Sequence, residues 1–264
     1  MREFLRTLVP PAFEPVARSL VGNVAFRGDY ATWREAADKC PGYSTDVILE
    51  RVTKASLQVK RGEFAYEQDA LVFETRDYVW PLLANLFWIA GRRSQSLHVL
   101  DFGGSLGSNY YRHLPYLRRL KSLKWSVVEQ AHFVSAGQQQ FQDETLRFFE
   151  DIDACCSWSP PDVVLLSGVV QYLPDPHQFL LDLVDRGIDY ILFDRTPFIE
   201  RDRDRLTLQR VGLPNYPATY PAWFFSRPRF FAAFERNYRL LEDFGSDDRA
   251  NIRSDYRGLL FERI

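Results

Sequence analysis

Residues 97–107 read LHVLDFGGSLG. A short apolar run, Leu97-His98-Val99-Leu100, ends in Asp101-Phe102 and then in three glycines spread over five positions. Such a run predicts a strand over 97–101, followed by a tight turn and a helix starting near Ser108. Glycine is needed there because a sharp strand-to-helix turn uses positive φ or brings backbone close to a ligand. Open parallel sheets bind their ligands at that end of their strands.

Downstream the same rhythm repeats. Strands are predicted at 125–129, 146–149, 162–167 and 190–193, with helical or turn-rich stretches between them. Alternation of strand and helix argues for a parallel sheet with helices on both faces. The C-terminus breaks the rhythm: 239–244 and 258–263 are two strands joined by a loop, which predicts an antiparallel pair at one edge. Residues 201–225 hold too many prolines for a crossover helix and read as an insertion over the strand ends. Upstream, residues 1–95 read as mostly helical. Thr32 is positioned to cap a helix with Glu35 in its first turn. Ser44 or Thr45 starts a second helix, and 69–89 reads as a third, kinked at Pro81. The division expected is an N-terminal helical cap over 1–95 and an α/β domain over 96–264, with a lid insertion around 200–226.

Composition narrows the function classes. The chain has 264 residues, 46% hydrophobic and 26% charged, with a formal net charge of −2. That is ordinary for a soluble globular protein, and without a Lys/Arg run it gives no nucleic-acid footprint. Aromatics reach 15%, clustered in 64–88 and 216–234, which suits a core and an acceptor pocket alike. Three cysteines, two of them adjacent, argue against a disulfide framework and for a reducing, cytoplasmic setting. Four scattered histidines without paired cysteines give no metal site. No run of about 18 apolar residues suggests a membrane span. Phe4, Leu5, Leu8 and Val9 beside Arg2 and Arg6 allow two readings: a docked or frayed terminus, or an arm in weak contact with a membrane surface.

The glycine loop by itself admits three readings. A dinucleotide fingerprint G-x-G-x-x-G does not fit, because Gly103 and Gly107 flank Gly104-Ser105-Leu106. Gly103-Gly104-Ser105-Leu106-Gly107 does match the G-x-S-x-G elbow of serine hydrolases, but no histidine follows His177 to complete the order Ser, acid, His. The third pattern, D-x-G-x-G-x-G, is the adenosylmethionine loop, and it places Asp101, Gly103, Ser105 and Gly107.

Longer stretches favour the third. VLDFGGSLGSNYY (99–111), WSVVEQ (125–130), DVVLLSGVVQYLPDP (162–176), YILFDRTPFIERDRDRL (190–206), YPATYPAWFF (216–225) and GDYATWREA (28–36) together resemble the class I S-adenosylmethionine-dependent methyltransferases, and within them a bacterial subfamily of unassigned acceptor. The resemblance implies a Rossmann-like, seven-stranded, mostly parallel sheet whose last strand is antiparallel. It implies S-adenosylmethionine as methyl donor and S-adenosylhomocysteine as product. On that reading Asp101 anchors the loop and approaches the methionine amino group. Backbone at Gly103, Gly104, Ser105 and Gly107 lines the methionine and ribose. Glu129, next to Gln130, grips both ribose hydroxyls, and Asp151 and Ile152 flank the adenine. Ser167 and Gln171 lie near the methyl group, and Ser105 stands where the family usually has a glycine.

Methyl transfer is an in-line displacement, so positioning and exclusion of water are the main tasks. A hydroxyl acceptor also needs a base. Asp194, ending the fifth strand, and His177, after the fourth, are the candidates, and Arg195 is suited to clamping an anionic acceptor. Tyr172, Tyr216, Tyr220 and Trp223 are candidate acceptor walls, and Tyr66 and Glu67 are candidates to close the donor site from the N-terminal side. The acceptor expected is a small molecule, a sugar or a surface-polysaccharide precursor, methylated on oxygen. The alternatives are a cofactor-fold binding module without catalysis and a serine hydrolase using Ser105.

Overall fold

The computed structural model describes residues 24–40, 45–212 and 218–264. The N-terminal arm and Tyr216 fall outside the described residues.

The centre is a parallel sheet. β4 (Ser96–Phe102), β5 (Ser122–Val128), β6 (Leu146–Phe149), β7 (Val163–Ser167) and β8 (Tyr190–Ile199) are its parallel members. β11 (Tyr238–Gly245) and β12 (Asp255–Arg263) follow in the chain, and β12 lies antiparallel between β8 and β11. The spatial order β6-β5-β4-β7-β8-β12-β11 is therefore a Rossmann-like sheet of seven strands with its last strand reversed. Every residue of β7 is buried, as expected for a strand covered by helices on both faces. One apolar layer joins Leu97, Val99, Val127, Leu165 and Leu192 to Leu82, Leu86 and Ile89. The other joins Leu100, Val164, Leu166 and Phe193 to Leu180, Leu183 and Phe230. Successive strand residues point to opposite faces, so one apolar run feeds both layers.

The N-terminal part is less helical than its sequence suggests. β1 (Val24–Tyr30) is a strand, followed by the short helix α1 (Trp33–Ala37). Thr32 caps α1 as expected, its Oγ1 accepting from Glu35 N at 3.2 Å, while Glu35 Oε2 accepts from Ala31 N. α2 is Thr45–Lys60. The expected helix over 69–89 is two different elements. Asp69 and Ala70 both take positive φ, 53° and 64°, and form the two-residue turn of a hairpin between β2 (Tyr66–Gln68) and β3 (Leu71–Phe73). The helix, α3 (Trp80–Gly91), begins only at Trp80. Pro81 sits in its first turn, where a missing N–H costs nothing, so it starts the helix instead of kinking it.

The 200–226 insertion is sheet as well. β9 (Arg205–Val211) and β10 (Ala218–Ser226) form an antiparallel pair, and β1 adds to the free edge of β9. This ribbon joins the main sheet at one place. β7 pairs with β8 up to Asp194, whereas β10 pairs with β8 only at Phe198 and Ile199. β12 occupies β8 from Tyr190 to Phe198. One edge of β8 is thus shared by two partners, and residues 195–197 lie between them. A cavity opens there, at the carboxyl ends of the parallel strands.

Candidate functional site

The cavity has a volume of about 760 Å³, within the range of small-molecule sites. The glycine loop forms one wall. Gly103 takes φ +70°, and a Cβ there would lie 2.4 Å from Val169 Cγ2. A Cβ on Gly104 would lie 2.6 Å from the Asp101 carboxylate. Gly107, φ +91°, caps α4 (Ser108–Leu117) and lies outside the lining. Ser105 also takes positive φ, 55°, a conformation that costs an L-residue about 1–2 kcal/mol. Its N–H donates to Glu129 Oε1 at 3.3 Å, which helps to hold it there.

Asp101 lies beneath this loop, 1% exposed, and its Oδ2 accepts from the Trp125 indole at 3.1 Å. Burial pushes its carboxyl up to about 7. It does not itself line the cavity. Glu129 does line it, with Gln130. Glu129 Oε2 accepts from Gln130 N at 2.8 Å, so each carboxylate oxygen has one backbone donor and a remaining acceptor site. Burial raises its pKa.

Asp151 and Ile152 are placed differently from the expectation. Asp151 caps α6 (Ile152–Trp158), its Oδ1 accepting from Ala154 N at 2.7 Å, and Ile152 is buried in the core. Neither lines the cavity, whereas the preceding Glu150 does. α5 (Ala131–Gln140) brings His132 and Phe133 to the same wall.

Beyond β7, Ser167, Gly168 and Gln171 line the opposite wall with Asp194 and Arg195. Ser167 Oγ donates to Asp194 Oδ2 at 2.9 Å, and Arg195 Nε lies 3.8 Å from the same oxygen. Burial raises the Asp194 pKa, with Arg195 and Ser167 opposing it. Arg195 is held at φ 55°, and Gly168 makes room for it: a Cβ there would meet the guanidinium at 2.9 Å. Burial disfavours the Arg195 cation, but Asp248, Asp194 and Asp69 more than offset this and raise its pKa.

The insertion closes the far side. Tyr172 OH donates to Gln209 Oε1 at 2.8 Å, and its ring meets Tyr220 edge-on at 5.3 Å. Both tyrosines line the cavity. Trp223 does not: its indole donates to Leu173 O at 3.1 Å and its ring stacks on Trp33, so it pins the insertion to α1. His177, the first residue after the N-terminal proline of α7 (Pro176–Asp185), also lies outside the lining. Its Nε2 is 2.7 Å from Asp204 Oδ2, a pairing that ties α7 to the start of the insertion. Among the described residues no histidine hydrogen-bonds Ser105: His98 reaches Pro160 O and Ser126, and His113 reaches Asn109 O and Val79 N. The nucleophile-base contact of a serine hydrolase is therefore not formed among them.

Sequence reasoning missed Arg112, Gln209, Asp248 and Tyr256, all of which line the cavity. They come from a helix, an insertion, the β11–β12 connection and the start of β12, and no local spacing links them. Glu67, expected to close the site, does line it, whereas Tyr66 is buried behind it against Phe73 and Arg112.

No protein-family model matches the chain, and no curated protein matches it. Several solved structures are similar. Magnesium protoporphyrin IX methyltransferase (ChlM) from Synechocystis with bound SAM is 11% identical, with 85% of this chain and 100% of that chain covered and a TM-score of 0.48. The N-terminal domain of EvdMO1 in the presence of SAH and D-fucose is 16% identical, over 84% of this chain and 98% of that chain, with a TM-score of 0.46. The glycopeptide N-methyltransferase MtfA complexed with SAM is 11% identical, over 68% of this chain and 86% of that chain, with a TM-score of 0.45.

Proposed function

We propose that this protein is an S-adenosylmethionine-dependent methyltransferase acting on a hydroxyl of a small polar acceptor, a sugar or related metabolite. The observation that carries the reading is the Glu129 carboxylate. It lies at the carboxyl end of β5, beside a loop of positive-φ residues, with one backbone donor on each oxygen and its remaining acceptor sites available to a vicinal diol. A ribose supplies that diol. Gly103 and Gly104 let that loop pack directly on Val169 and Asp101, where side chains would collide, and both line the cavity with Ser105.

When bound, S-adenosylmethionine supplies an electrophilic methyl group on a sulfonium. The chain's own tasks are to hold the donor along the glycine loop, to orient the acceptor and to exclude water. Asp194 and Arg195 provide an acceptor and a donor side by side, and Tyr172, Gln209 and Tyr220 extend the wall. Alternating donors and acceptors between aromatic faces suit a polyol.

Titration calorimetry with S-adenosylmethionine and S-adenosylhomocysteine tests the reading. Both should bind at one site per chain. Folded protein that binds neither overturns it.

A further inference from the structure

Glu67 has a setting that donor recognition through Glu129 and the loop leaves unexplained. It is 5% exposed and lines the cavity. Its hairpin is built at a cost: Asp69 and Ala70 both take left-handed backbone with no glycine at either position, a conformation worth about 1–2 kcal/mol per residue. Strain of this kind persists where surrounding structure over-determines it, and often at functional sites. Here the strained turn aims the Ala70 N–H at Glu67 Oε2, 3.2 Å away. Ser108, the first residue of α4, donates its hydroxyl to Glu67 Oε1. Tyr66 stacks on Phe73 at 4.6 Å and carries Arg112 over its ring at 4.4 Å, which fixes the hairpin against α4.

Two of the carboxylates that line the cavity, Asp194 and Glu67, differ in their partners. Asp194 has the Arg195 guanidinium 3.8 Å away, a close cation that opposes the effect of burial on its carboxyl. The hydrogen-bond donors of Glu67 among the described residues are both neutral. These two donors and the charge on Arg195 favour the Glu67 anion, whereas burial and the nearby Asp69 carboxylate favour its protonated form and outweigh them.

We infer that Glu67 is the proton acceptor of the transfer, an assignment that rests on the methyltransferase reading. As the acceptor oxygen bonds to the methyl carbon, its proton passes to the Glu67 carboxylate, and the electron pair of the breaking carbon–sulfur bond stays on sulfur. A carboxylate and a sulfonium become a carboxylic acid and a neutral thioether. Two opposite charges vanish together, and a site that desolvates the ground-state charges favours that change. Asp194 then orients the acceptor through its own hydrogen bonds. Burial pushes the Glu67 carboxyl up to about 7, which matches a base working near neutral pH.

The test needs no acceptor. A base at the reacting centre faces the sulfonium of S-adenosylmethionine, a charge that S-adenosylhomocysteine lacks, whereas both ligands share the amino-acid end. Calorimetry at pH 6.5 in buffers of different ionisation enthalpy reads the protons released on binding. The donor should release more protons than the product, by roughly half a proton per site, and Glu67→Gln should abolish the difference while Asp194→Asn keeps most of it. Ser108→Ala, which removes one donor from the carboxylate, should move the pH midpoint of donor affinity upward and serves if Glu67→Gln does not fold. Equal release with both ligands would place Glu67 at the amino-acid end of the donor and overturn the assignment. A difference that survives Glu67→Gln would overturn it too. Failure of both ligands to bind would instead remove the methyltransferase reading.

Discussion

Replacing Glu129 by Ala removes the carboxylate on which the donor assignment depends. In the folded protein Ser105 N and Gln130 N each use one acceptor site, at 3.3 and 2.8 Å, which leaves acceptor capacity on each oxygen for the cavity. A hydrogen bond to a charged group contributes about 1.5–3 kcal/mol. Two ribose hydroxyls would thus lose about 3–6 kcal/mol at most, and water entering the vacated space returns part of it. A net loss of about 2–4 kcal/mol corresponds to a roughly 30- to 900-fold weaker Kd. Glu129→Gln keeps one acceptor oxygen and should lose about tenfold. Burial raises the Glu129 pKa, so ionising this group costs the free protein stability. Glu129→Gln should accordingly melt at or above the wild-type temperature while binding more weakly. Calorimetry with S-adenosylhomocysteine, paired with thermal unfolding, measures both. Kd values within threefold of wild type for both variants would refute the placement of the ribose on Glu129.

Two further outcomes follow from the same geometry. Asp101 titrates near 7 when folded against 3.8 for the free side chain. The folded protein therefore retains a proton between these values that the unfolded chain has released, and this contribution to stability is lost as pH rises through the window. The melting temperature of Asp101→Asn relative to wild type should climb from pH 5 to pH 8, by the equivalent of at most about 3 kcal/mol, and a constant gap would contradict the burial argument. His177→Ala breaks the pair with buried Asp204 and should cost about 1–2 kcal/mol of stability. Its affinity for S-adenosylhomocysteine should not change, and a tenfold loss would return His177 to the site.

The frame of the fold is written in local signals. Apolar runs bounded by turns are local signals, so β4, β5, β6 and β7 and the antiparallel final pair were legible within a few residues. The glycine loop was legible for the same reason, since positive φ at Gly103 and Gly107 is a property of single residues. Glu129 could be found because it ends a strand that the pattern had already located.

Other features depend on contacts between distant parts of the chain. The spacing of Leu71 and Val72 suits a helix as well as a strand, and only pairing across the Asp69-Ala70 turn selects the hairpin. β1 is a strand because β9, some 180 positions later in the chain, offers it an edge. Asp151 and His177 have the chemistry expected of site residues, but a helix cap and an ion pair use them elsewhere. Glu67, Arg195, Gln209 and Asp248 meet around one cavity from four separate parts of the chain. Periodicity reports which face of an element is buried. It does not report which elements share a cavity, because that depends on contacts between residues far apart in sequence.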